Sequence, residues 1–328
     1  MDNKIDVVIT WVDGSDPEWL KEKAKYVPDF NQVGSFEDKR FEDNMMLKYL
    51  FRGIEKNMPW VNHIYFVTCG HYPKWLNLNN DKITLVKHSD FMPEEYLPTF
   101  NSNSIILNLH KIPNLSEKFV YFNDDFFVLK EMKEVDFFKK DKPCLMSIED
   151  ITVAPNNDVF WKMMLNNLTI INKNFNKKQS KKHNFNKWYN LKYGIRNIYK
   201  NFCLRKFSKF AGFYDSHLPA PFLKTTFSEV WDKNYDTLHK TCLSKYRTSN
   251  DVTEYTMKYW CYASGNFYPI NTDRMGIYTT ESSKKTAKII ESNKYKLICI
   301  NDDGNSSCKE EIIKALNKIY PEKSGFEL

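Results

Sequence analysis

Five short runs of this chain are apolar at nearly every position: Ile5–Val12 (IDVVITWV), His63–Thr68 (HIYFVT), Ile83–Lys87 (ITLVK), Lys118–Phe122 (KFVYF) and Lys296–Ile300 (KLICI). β-Branched and aromatic residues dominate them, which predicts strands. A strand with one wet face alternates apolar and polar residues. These runs do not alternate, so the sheet they form is expected to be covered on both faces, as parallel sheets are. Helical patterns lie between them. In Asp43–Lys56, Leu47, Leu50, Phe51 and Ile54 recur at i, i+3, i+4 and i+7, with Asp43 placed to cap the start and Pro59 to stop the helix. Thr253–Ala263 and Lys309–Ile319 also read as helices. Strands alternating with helices predict an α/β fold with a mostly parallel sheet. At 328 residues the chain is one large domain or two.

Three of the strand candidates run into similar chemistry: Asp13-Gly14-Ser15-Asp16 after the first, Asn123-Asp124-Asp125 after the fourth, and Asn301-Asp302-Asp303 after the fifth. Asp and Asn after a strand commonly form turns. In open α/β sheets, however, ligands bind outside the carboxyl ends of the strands, where three such clusters would converge. Gathered carboxylates repel one another unless a cation is present. A hard divalent cation, Mg²⁺ or Mn²⁺, holding a diphosphate fits that requirement. Neither GxGxxG nor GxxxxGK[ST] occurs, which disfavours a dinucleotide site or a P-loop.

The positive charge is concentrated. Between Val159 and Tyr214 there are 13 Lys and Arg and no Asp or Glu, while the rest of the chain carries a net charge of −6. Aromatics interleave these cations, including Trp188, Tyr199, Phe202 and Phe207. The pattern predicts either a solvated helical insert or a surface for anions. A membrane face or a phosphorylated glycan fits the second reading, with Lys177, Lys178, Lys181 and Lys182 as exposed contacts. No nucleic-acid-binding motif accompanies it. The expected organisation is 1–150 as the first part of a catalytic core, 151–214 as a basic, largely helical insert, and 215–328 as the second part.

Seven scattered cysteines without a CxxC pair argue against a disulfide framework or zinc site and for a reducing compartment. The opening MDNKIDVVIT has neither a basic n-region nor a cleavage site, so no secretory signal is expected. There is no apolar run of 18 residues to span a membrane. His217, in Asp-Ser-His-Leu-Pro-Ala-Pro, is either a structural histidine or a general base fixed in a stiff loop. Arg247 is either a surface ion-pair residue or a phosphate fork.

IDVVITWVDGSDPEW (Ile5–Trp19) closely resembles the opening block of the Stealth family of sugar-1-phosphate transferases. The stretch Phe41–Phe126, with FEDN, IEKNMPWVNHIYFVT, LPTFNSNSI and KFVYFNDDF, resembles its second block. DSHLPAP with YRTSNDV, and CINDD with YPEKSGFEL, are similar to the third and fourth. The resemblance implies a Rossmann-like, glycosyltransferase-type core that transfers a sugar with its phosphate from a UDP-hexose or UDP-N-acetylhexosamine to a hydroxyl, releasing UMP. It implies Asp124, Asp125, Asn301 and Asp302 at the metal, and His217, Arg247, Asp125 and Asp13 in catalysis. Trp11, Asp13, Gly14, Asn44, Arg52 and Asn101 would contact the donor. The acceptor would be a lipid-linked glycan of capsule or wall synthesis, reached by a cytoplasmic protein on the inner face of the plasma membrane. Met46 and Ile106 stand where the family has Glu, and Cys69 where it often has Asp or Asn. These departures imply a changed substrate choice, a weakened enzyme, or a paired swap of a polar contact for an apolar one. An ordinary glycosyltransferase releasing UDP and a non-catalytic glycan-binding subunit are the competing readings.

Overall fold

The computed structural model describes residues 4–26, 46–155 and 158–328. Asp43 and Asn44, expected to cap a helix and to line the donor site, lie outside the described residues. β1 (Ile5–Thr10) leads into α1 (Pro17–Lys23), which Asp16 caps by accepting from Trp19 N at 2.7 Å. α2 (Leu47–Asn57) buries Leu47, Leu50, Phe51 and Ile54, the residues of the predicted stripe. Its Gly53 allows close packing, since a Cβ there would meet Val128 O at 2.7 Å. β2 (Ile64–Thr68), β3 (Ile83–Lys87), α3 (Ser102–Leu107), β4 (Lys118–Phe122) and β5 (Phe126–Val128) follow. α4 (Glu134–Phe137) precedes two short strands, β6 (Phe138–Lys139) and β7 (Lys142–Leu145).

The acid-free stretch is helical, with α5 (Val159–Asn174), α6 (Lys177–His183), α7 (Phe185–Trp188) and α8 (Ile195–Cys203). The chain then forms β8 (Ala220–Leu223), α9 (Lys224–Leu243), α10 (Tyr255–Ser264), β9 (Tyr268–Pro269) and β10 (Gly276–Thr280). It finishes with α11 (Thr286–Glu291), β11 (Leu297–Asn301) and α12 (Lys309–Ile319).

The central sheet has the order β3-β2-β1-β4-β8, parallel except for β8. Alternate strand residues enter two cores. Val8, Tyr65, Val67, Phe119 and Tyr121 face one, and Val7, Ile9, Phe66, Val120 and Phe122 face the other. This two-sided burial is what the uninterrupted apolar runs predict. Met46 belongs to the second core and Ile106 to the first, so they do not touch as a swapped pair.

Two expectations need correction. The KLICI strand is not in the central sheet. As β11 it pairs with β10 and, antiparallel, with β5 in a separate three-stranded sheet. Lys177 and Lys181 are not surface contacts. Both are buried on the buried carboxylate of Glu149, with Lys177 Nζ 2.6 Å from Glu149 Oε1 and Lys181 Nζ on Oε2. A buried ammonium requires such a partner, and only Lys178 and Lys182 of that group are exposed.

Candidate active site

The chain lays β1, β2 and β3 to one side and then crosses back to place β4 on the other side of β1. The crevice at the carboxyl ends of β1 and β4 is therefore the point of topological reversal, where such sheets bind ligands. Tyr121 ties the two ends together, its hydroxyl 2.9 Å from Thr10 Oγ1 and bonded to Asn123 Oδ1.

On the β1 side, Asp13 Oδ1 accepts from Ser15 N (2.8 Å) and Ser15 Oγ (2.6 Å), which closes the turn through Gly14. Asp13 N donates to His71 Nε2 at 2.9 Å. Trp11 is buried against Phe66, centroids 5.7 Å apart, and meets the His71 ring edge-on. Burial lowers the His71 pKa, so it is poised as a neutral acceptor, although Asp16 and Asp13 oppose the shift. Cys69 is exposed, with Sγ 3.5 Å from His71 Nδ1.

On the β4 side, β5 turns back so that Asp125 O accepts from Ile300 N of β11 at 2.9 Å. This pairing brings the second acid cluster to the third strand end. Asp125 Oδ2 accepts from Cys299 Sγ at 3.3 Å, while Oδ1 is buried with no hydrogen-bond partner among the described residues. Burial raises the Asp125 pKa, and His217 opposes the rise. Burial also pushes the Cys299 thiol up, with Asp125 and Asp124 adding to the shift, so sulfur stays protonated and donates.

His217 has a left-handed backbone, φ 48°. Its N–H donates to Asp215 Oδ1 at 2.7 Å, and Asp215 Oδ2 accepts from Lys258 Nζ at 2.8 Å. Its ring meets Phe126 and Tyr278 edge-on, and its Nδ1 lies 2.7 Å from Tyr255 Oη. Asp125, His217 and Cys299 each direct a potential ligand atom into one group, all within 4.8 Å of one another. Glu254, before α10, is held protonated to higher pH by burial, against the charges of Lys258, Arg247 and His217. Arg247 Nε donates to Ser102 Oγ at 2.9 Å.

The donor set accommodates a hard cation through oxygen rather than sulfur. Asp125 offers a buried oxygen with no partner among the described residues, and Cys299 acts as a hydrogen-bond donor. Asp302 is not in the Asp125 group. Its Oδ1 accepts from Gly304 N at 2.7 Å, and its charge, with that of Asp303, acts on Glu281. Asp124 is near enough to act on Cys299 but is not one of the three grouped residues. Asn301 Nδ2 donates to Asp302 O.

Two donor contacts implied by the resemblance are engaged elsewhere. Arg52 is buried, with Nε 2.7 Å from Glu327 Oε1, a second nitrogen 2.6 Å from Oε2, and the third 2.7 Å from Tyr320 O. A phosphate would have to displace Glu327 to reach it. Asn101 is also buried. Its Nδ2 donates to Asp251 Oδ2 at 2.7 Å and its Oδ1 caps α3, so it holds the 246–251 loop that carries Arg247.

Residues 3–30 match the family model of Stealth protein conserved region 1, and residues 40–146 match conserved region 2. The chain is 41% identical to a capsular polysaccharide phosphotransferase, WcwK, of Streptococcus pneumoniae, over 99% of this chain and 98% of the relative. The chain belongs to the Stealth family. Two other relatives are a receptor polysaccharide phosphotransferase, WefC, of Streptococcus oralis (35% identity, 99% and 100% covered) and an exopolysaccharide phosphotransferase, cps2G, of Lactiplantibacillus plantarum (37%, 98% and 96%). Like these Stealth relatives, it is a phosphotransferase enzyme. Among solved structures, the galactosyltransferase LgtC with donor and acceptor sugar analogues covers 95% of each chain at 10% identity and a TM-score of 0.41, too loose a likeness to transfer a site.

Sequence reasoning missed Glu254, Tyr255, Lys258 and Cys299. The first three sit at the start of a helix whose pattern reads as core packing, and Cys299 sits inside an apolar strand. Spacing carries a partial signal: Tyr255 and Lys258 are three apart and so share one helix face.

Proposed function

We propose that the protein transfers a sugar-1-phosphate from a UDP-sugar, a UDP-hexose or UDP-N-acetylhexosamine, to a hydroxyl of a glycan acceptor, releasing UMP. The observation that carries this reading is the meeting of Asp125, His217 and Cys299 at the β1–β4 reversal, with Glu254 within reach of the charges of both His217 and Arg247. The acceptor hydroxyl oxygen bonds to the sugar-bearing phosphorus, the bond from that phosphorus to the oxygen of UMP breaks, and the proton passes to His217. Acting at Nε2, His217 donates from Nδ1 to Tyr255 Oη, which fixes the ring with its other nitrogen free to take the proton. Arg247 offsets charge gathering on the phosphoryl oxygens. Asp125 and Asp124 would hold Mg²⁺ or Mn²⁺, which when bound neutralises charge on the diphosphate. Asp13, Gly14 and Trp11 line the β1 side of the crevice. On this reading 1–150 and 215–328 are the two parts of the catalytic core, and 151–214 is an insert that packs Met163, Leu168, Ile171 and Trp188 into the same apolar cluster as Val8 and Phe119. By analogy with the named relatives, the product is capsule or related surface polysaccharide. The acceptor is carried on a lipid at the inner face of the membrane, with the protein cytoplasmic and peripheral.

Chromatography of a single turnover tests the reaction. UMP with a phosphodiester in the glycan is expected, whereas UDP with phosphate-free product would assign an ordinary glycosyltransferase. His217→Ala should slow turnover by about 10²–10⁴-fold, the worth of a general base, with donor affinity retained.

A further inference from the structure

An amphipathic surface helix normally turns its apolar stripe to the core and its polar face to water. α8 is reversed. Its inward face centres on Asn201, which is fully buried and donates to Ser147 O (2.9 Å) and Trp188 O (2.6 Å), while its Oδ1 accepts from Glu149 N (2.7 Å). Its outward face carries Ile195, Tyr199 and Phe202 at i, i+4 and i+7, exposed by 87, 65 and 50%. Leu191, one turn earlier, is 86% exposed and extends the stripe. Asn201, with Ile198 packed on Met146, Ile148 and Tyr193, holds this helix to the body, and the apolar stripe of Ile195, Tyr199 and Phe202 is left exposed.

The charge beside the stripe identifies that partner. Lys192, Arg196, Arg205 and Lys206 flank it and are exposed, with the Arg205 guanidinium 3.5 Å from the Phe202 ring centroid. No acidic residue occurs from 159 to 214. The nearby Asp150 is paired with Lys200 at 2.6 Å. A protein interface would have no need for 56 residues free of acid. A bilayer surface with anionic headgroups uses both features, taking apolar side chains into the acyl boundary and cations at the phosphates.

We propose that the outward face of α8, with Leu191, docks on an anionic membrane. The face shares no residue with the Asp125–His217 group. The inference deepens the reading of a lipid-linked acceptor and rests on that reading only for its purpose, because docking is measured without turnover.

The test is co-sedimentation of the full chain with vesicles of phosphatidylglycerol and phosphatidylcholine in equal parts, and of phosphatidylcholine alone. Binding is expected to the first and at least tenfold weaker to the second, and to fall as salt rises. The triple variant Ile195→Ser, Tyr199→Ser, Phe202→Ser should lose at least tenfold. Arg196→Glu with Lys206→Glu should do the same while leaving the apolar stripe intact, so a folding defect in one variant does not remove the test. Unchanged binding in the charge variant, or absence of wild-type binding to the anionic vesicles, overturns the proposal. So does a lipid-free dimer that the triple variant dissolves, which would make the stripe a protein interface. Transfer to a short soluble glycan is assayed in parallel. Vesicle binding without transfer would sink the transferase reading alone, and transfer without vesicle binding would sink this one alone.

Discussion

A buried carboxylate whose oxygen has no partner either keeps its proton or takes a cation. Among the described residues, Asp125 and Glu281 are both in this position. For Glu281, burial pushes the pKa from 4.5 to about 7; Asp302 and Asp303 add to the rise and Lys309 opposes it. The folded state therefore binds this proton more tightly than the unfolded state. The associated stability is fully present below about pH 4.5, is lost as pH rises towards 7, and stays lost above that. Glu281→Gln should melt higher than the wild type at pH 8 and little differently at pH 4, as followed by circular dichroism. An equal shift at both values would point to packing instead. At this scale the sequence was partly legible. Asp125 and His217 stand in motifs that announce chemistry. Tyr255 and Glu254 do not, because an aromatic or acidic residue at a helix start has many ordinary uses. The pairing of Arg52 with Glu327 was not legible, because the two lie 275 positions apart and no local pattern records that contact.

Elements were more legible than their partners. All five apolar runs form strands, because β-branched side chains and two-sided burial act together. Which sheet each joins depends on contacts far apart in sequence, so β11 was assigned to the wrong one. The basic stretch shows the same limit. Lys177 and Lys181 read as surface charge, yet α6 turns them inward to Glu149, which lies ten residues before the acid-free window opens. Two ammoniums on one buried carboxylate make Glu149 the keystone that ties α6 and α8 to the body. Glu149→Gln would leave both cations buried without a counter-charge. A loss of about 3–5 kcal/mol is expected, the usual result of removing one partner of a buried pair, read as a lower denaturant midpoint. Lys178→Gln, at an exposed neighbour, should change stability by less than about 0.5 kcal/mol.

Across the whole molecule, the C-terminal segment closes the fold over the N-terminal half. Phe326 packs on Phe51 of α2, with centroids 5.6 Å apart. Tyr320 bonds to Val128 O and, at 2.7 Å, to Asn57 Nδ2, while Leu328 N donates to Trp75 O at 2.8 Å. The Arg52–Glu327 pair lies within this closure, both side chains nearly shielded from water. Its position separates two roles that the family motif alone cannot distinguish. If Arg52 is a clasp, Glu327→Ala leaves a guanidinium buried and unpaired, which should cost about 3–5 kcal/mol. Arg52→Lys should cost less, because charge remains while the two-pronged geometry is lost. Donor affinity of the folded fraction should be unchanged in both, since the pair occupies the α2–tail contact and the Asp125 group lies at the β5–β11 pairing. If Arg52 instead holds donor phosphate, Arg52→Lys would weaken UDP-sugar binding, and Glu327→Ala, by freeing the guanidinium, would strengthen it. Calorimetric titration with UDP-sugar beside thermal melting separates the two. Lower melting with constant donor affinity is the expected result, and weakened binding with unchanged melting would return Arg52 to the active site.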